Sequence, residues 1–136
     1  MNPILRNILA VIAGWVGGGI VNYALVIAGH SIFPMEGVDP NDMEALGNFL
    51  SGAEGEYFIF PFLAHAVGTL VGALIAAAIA ATRKMMCAII IGVLFLIGGI
   101  MASYMIPAPT WFIVLDLVVA YIPMAWIGGK LAGRKS

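Results

Sequence analysis

The sequence predicts an all-α integral membrane protein: a four-helix bundle that crosses the bilayer four times, with both termini in the cytoplasm. Three observations predict it. Of the 136 residues, 62% are hydrophobic and 10% charged, whereas a soluble domain covers its surface with about a quarter charged residues. Four apolar runs each reach the roughly 20 residues that a helix needs to cross hydrocarbon. The basic residues gather at alternate connections, and the acidic ones almost all fall in the one long loop.

The first span covers about residues 8–30, running from Ile8 to Ile27 with room to extend to Phe33. Arg6 ahead of an apolar run also suits a secretory leader, but this run is longer than a leader core, so a retained helix is expected. The second span covers about 57–81, the third about 85–106 and the fourth about 111–131. Helix is the expected form because lipid-exposed irregular backbone leaves N–H and C=O groups unpaired. Nor do the runs alternate as barrel strands do. The chain from 1 to 136 reads as a single membrane domain.

Arg6, Arg83, Lys84, Lys130, Arg134 and Lys135 fall before span one, between spans two and three, and at the end of span four. Glu36, Asp39, Asp42, Glu44, Glu54 and Glu56 all lie between spans one and two. Cationic loops stay on the cytoplasmic side, which sets the expected orientation. The single cysteine, Cys87, excludes an internal disulfide and reads as a reduced structural thiol.

The outer loop, about 34–56, is expected to hold a short amphipathic helix over Pro40–Leu50 on the membrane surface. Asp39 stands as N-cap and Pro40 as first helical residue, while Met43, Leu46 and Phe49 or Leu50 recur at helical spacing. The loop acids fail the calcium-loop pattern, since Glu44 stands where glycine is required and Leu50 where glutamate is. A solvated acidic face is expected there, with no metal. Pro107-Ala108-Pro109 makes a tight outer turn, and Trp111, Tyr57 and Tyr104 suit the interfacial belt.

Small residues carry the packing message. Ala64, Gly68, Gly72, Ala76 and Ala80 recur every fourth residue on span two, and Gly14 and Gly18 sit on span one. Such ribbons let two backbones approach closely. Pro123, inside span four, is expected to kink it.

His65 and Asp116 are the ionisable groups inside the spans. Each precedes a cytoplasmic-edge arginine, Arg83 or Arg134, by eighteen residues. Both should therefore stand roughly 27 Å above that edge, on helices running in the same direction. A charged aspartate at depth costs up to about 3 kcal/mol on insertion scales, which a histidine partner offsets. The pair is the candidate binding or proton-relay site. The bland reading of the same pair is an interhelical hydrogen bond that fixes register. Asn22 and Ser103 are read as interhelical hydrogen-bond donors, and Thr69 as a polar neighbour on the His65 face. His30 stands at the outer boundary, above His65, so no haem or other cofactor is expected.

The architecture is similar to that of small multidrug exporters and fluoride channels, but span one holds no carboxylate and the phenylalanine-rich signature is missing. No family follows from it. Walker, nucleophile-elbow and zincin patterns do not occur, so an enzyme is not expected, and the net charge of -1 gives no sign of nucleic acid. The leading expectation is a homo-oligomer that binds or moves a small solute or ion near His65 and Asp116. The alternative is an accessory subunit docked on another membrane protein. A weaker third is a lipid-modifying or quinone-linked enzyme with His65 as base.

Overall fold

The computed structural model describes residues 2–35, 37–39, 41–53, 55–106 and 108–133, with Ser51 described in its backbone alone. Glu36, Pro40, Glu54, Pro107, Arg134 and Lys135, which figure in the expectations above, lie outside the described residues.

The described chain is all-helical, with four helices long and apolar enough to span a membrane. Helix α1 runs Pro3–Ile32, α2 Met43–Ser51, α3 Ile59–Ile79, α4 Lys84–Met105, α5 Thr110–Val119 and α6 Ile122–Gly133. A 3-10 turn, Gly55–Phe58, leads into α3, and α5 and α6 together make the fourth membrane-length segment. The apolar faces look outward: Ile8, Ile12, Trp15, Val16 and Ile20 of α1 are all exposed. A water-soluble monomer rarely carries so large a patch.

Local chemistry explains the boundaries. The side chain of Asn2 accepts from Ile4 N–H and Pro3 occupies the first turn, so α1 begins well before the expected residue 8. Helix α2 also departs from expectation. Its N-cap is Asp42, which accepts from Ala45 N–H at 3.2 Å, and not Asp39. Asp39 instead accepts from Asn41 N–H through its side chain and from Asp42 N–H through its carbonyl, forming a turn ahead of the helix. Between α3 and α4, Arg83 takes a left-handed conformation at φ 48°. Lys84 Nζ donates to the carbonyls of Ala77 and Ala80, and Arg6 Nε to that of Ile79, so cations cap the negative end of α3.

Helix α3 is the centre of the bundle, packed on α1, α6 and α4. Its ribbon of Ala64, Gly68, Gly72, Ala76 and Ala80 is buried and turns toward α1. There Gly72 meets Gly14 and Gly18, and Gly68 lies against Gly18 and Asn22. A Cβ on Gly72 would stand 2.7 Å from the Gly14 carbonyl oxygen, so the crossing admits only glycine-sized residues.

The fourth segment breaks at Ala120–Tyr121. Pro123 has no N–H to donate to the Val119 carbonyl, and its ring crowds that carbonyl. The helix resumes with Ala125 N–H bonding to the Tyr121 carbonyl at 2.8 Å.

Candidate functional site

His65 lies in the second turn of α3 and Asp116 in the middle of α5. His65 Nδ1 and Asp116 Oδ1 stand 2.7 Å apart. The helical rise that predicts equal heights for the two groups is thus matched by a direct side-chain bond.

A third residue completes the arrangement. Tyr121, 1% exposed, donates its hydroxyl to Asp116 Oδ2 at 2.9 Å. Its ring stacks on the His65 imidazole, with centroids 5.7 Å apart and planes 28° apart. Sequence reasoning misses Tyr121 for a geometric reason. In an unbroken helix a residue five positions on lies about 140° round the axis from its reference. The break before Ile122 returns the tyrosine to the aspartate. The available signal is the Asp116-Tyr121-Pro123 combination, with a proline able to undo the helical phase between the first two. Room for the ring comes from Gly99 of α4, where a Cβ would lie 2.6 Å from Tyr121 Cζ.

Asp116 is buried, its side chain 7% exposed, whereas the His65 side chain is 26% exposed. Burial of an unpaired carboxylate is costly, but here each oxygen accepts one hydrogen bond. Tyr121 donates to Oδ2, and an ionised carboxylate only accepts. With Asp116 as the carboxylate, the hydrogen between Oδ1 and His65 Nδ1 belongs to the imidazole, and Nε2 is the ring nitrogen left over.

His65 and Asp116 form part of the wall of a cavity of about 340 Å³. Phe33, Tyr57, Phe58, Phe60 and Phe112 supply aromatic surface, with Ala102, Ile106, Ile113 and Leu117 between them. Met43, Leu46 and Leu50 of α2 line it as well, so the apolar side of that helix turns to the cavity. The aromatic groups brace one another: Phe58 packs on Phe112 at 4.7 Å and on Trp111 at 5.6 Å, and Phe49 meets Tyr57 edge-on at 5.0 Å. His30 lies on the same wall.

The other predicted polar residues serve differently. Thr69 is fully buried and returns its hydroxyl to the His65 carbonyl at 2.7 Å, within its own helix. Ser103 lines the cavity, but donates to the Ile100 carbonyl of its own helix, which corrects the interhelical reading. Such back-bonding within a helix competes with partners across the interface. Asn22 packs against Gly68 with its side-chain oxygen buried and unpartnered, so its carbonyl takes no part in an interhelical bond. Ala64, Gly68, Gly72, Ala76, Gly14 and Gly18 pack α3 on α1, as described above. Among the described residues no three His, Cys, Asp or Glu side chains cluster as a metal site would require.

Compared with known proteins, the chain matches no family model, no curated sequence and no solved structure.

Proposed function

We propose that the chain is a four-span membrane protein, both termini cytoplasmic, that binds or moves a small solute at the His65–Asp116 pair. The observation that carries this reading is that the pair borders a cavity. A pair serving only to fix register has no need of empty space beside it, and buried polar groups of that kind pack on all sides. Concave sites that are mostly apolar with a few convergent polar groups are the usual form of small-molecule sites. Ionisable side chains within membrane segments commonly mark solute or proton pathways.

Charge placement supports the orientation. Arg6 and Lys84 both cap α3 at one end of the bundle, while Asp42, Glu44 and Glu56 belong to the segment that borders the cavity at the other. With cations inside, the cavity belongs to the outer half of the membrane and α2 lies over it. Four short spans do not enclose a pathway by themselves, so transport calls for a homo-oligomer, whereas binding needs one copy.

The test is Asp116→Asn in the purified, lipid-reconstituted protein. Flux should be lost and solute binding weakened while insertion and helix content are retained. Unchanged binding and flux in that variant would sink the reading.

An accessory subunit is the second reading, and one observation favours it. Gly19 of α1 and Gly98 of α4 face open space, with nothing within 4 Å of where a Cβ would stand, and small open positions suit a second membrane protein's helix. Native mass analysis after gentle extraction separates the two. A homogeneous homo-oligomer or monomer supports the solute site, and a stoichiometric foreign partner supports the subunit.

A further inference from the structure

Resting on that reading of the site, we propose the chemical class of its ligand: a lipophilic phenol or quinol, whose ring lies in the cavity and whose hydroxyl donates to His65 Nε2. Three features of the site lead there. Tyr121 and His65 occupy both oxygens of Asp116, and with Asp116 taken as the carboxylate the hydrogen between it and His65 lies on Nδ1. A neutral imidazole held in that tautomer offers a lone pair at Nε2 and no hydrogen. In this scheme His65 is the neutral imidazole and the polar group it presents is an acceptor, so a ligand that donates is matched while one that only accepts meets a second lone pair.

The rest of the wall describes the body of the ligand. Its aromatic members, Phe33, Phe60 and Phe112 among them, favour a flat apolar ring packed by offset or edge contacts. A cavity of about 340 Å³ lies at the small end of the range for small-molecule sites, which suits one or two fused rings. Asp116 and Tyr121 are positioning residues in this scheme, acting through His65, which touches the ligand.

The shared chemistry has two sources, a free phenolic solute or the headgroup of a membrane quinol with an isoprenoid tail. Either enters by the same hydroxyl.

The experiment uses the full chain in lipid nanodiscs, labelled with nitrogen-15 histidine, with the His65 resonances assigned by their loss in His65→Gln. Naphthol, methoxynaphthalene and naphthoquinone are titrated in turn, three bodies of similar size that donate, cannot donate and only accept. Unliganded His65 should show the tautomer protonated at Nδ1. Naphthol should shift the Nε2 resonance and bind about tenfold tighter than methoxynaphthalene, the value of one well-made hydrogen bond. In Asp116→Asn the amide can donate to Nδ1, the tautomer is released, and the preference should shrink to about twofold. The change in ligand preference is the readout that a merely structural aspartate would not move.

Equal binding of naphthol and methoxynaphthalene, or tighter binding of naphthoquinone, overturns the donor assignment and leaves the solute site standing. A resonance untouched by all three removes the ligand class, while the solute site itself stands or falls on flux and binding in Asp116→Asn. Comparing a quinol with and without its isoprenoid tail then assigns the source. Tighter binding of the tailed form points to the membrane lipid, and equal binding to the solute.

Discussion

The two halves of the fourth membrane-length segment meet the same neighbours in opposite ways. Helix α6 sinks into α3 and α4. Gly128 approaches the Leu70 carbonyl so closely that a Cβ would stand 2.6 Å from it, and Gly129 fits against Met85 and Ala88. Helix α5 touches α3 and α4 far less, and meets α3 through Asp116 against His65 and the turn before it through Phe112 against Phe58. The separation of packed helices follows the side chains at the contact. Glycine closes the α6 half, and aromatic rings prop the α5 half open. The difference teaches that the cavity is no accident of loose packing. It is set by residue size on either side of one proline.

The harshest way to break the comparison is to put bulk where the bundle is closed. Gly72→Leu drives a side chain into the Gly14 carbonyl and the Ile91 side chain, and should cost about 3 kcal/mol or more. Size-exclusion profiles in mild detergent should lose the sharp peak of the parent, and a melting point equal to the parent's would refute the crossing. Next comes Asp116→Ala, which strands the buried Tyr121 hydroxyl and unpairs His65. A loss of about 2–4 kcal/mol is expected, read by unfolding in mixed micelles.

Tyr121→Phe removes one hydrogen bond and should cost about 1 kcal/mol. The same substitution placed in a Pro123→Ala background should cost almost nothing, because a continuous helix carries Tyr121 away from Asp116. A full-sized cost in both backgrounds would show that the proline does not set the tyrosine's position. The mildest change sharpens the comparison: Ala102→Leu fills space in the open half. Its effect on stability should stay within about 0.5 kcal/mol, while naphthol binding should fall sharply in the same titration.

Much of this was legible in the chain. Apolar runs mark the four long helices, because hydrocarbon thickness dictates length. The heights of His65 and Asp116 follow from counting residues, because helical rise is constant. The glycine and alanine ribbon on α3 announces a close crossing, though not that α1 would be the helix to fill it. What was hidden depends on broken regularity or on local competition. Tyr121 joins the site only because the helix loses phase at Pro123. Ser103 and Thr69 turn to carbonyls of their own helices, which spacing cannot foresee. Asp42 displaces Asp39 as the cap of α2, since both are good caps and the turn ahead of the helix uses the earlier one. The cavity itself appears in no periodicity, because it records where side chains fail to meet.

The knot of bonds at the Arg6 end has a consequence for the order of assembly. Arg6 bonds to Ile79, and Asn7 holds Ala81 N–H and the Thr82 hydroxyl. These partners are 73 to 75 residues apart along the chain. Synthesised from its N-terminus, the protein makes Arg6 and Asn7 long before anything they bind exists. Helix α1 must therefore wait, its glycine face uncovered, until α3 has been completed to its last turn. The clasp can close only once the connection after α3 has been made, and it joins the oldest residues of the chain to much younger ones.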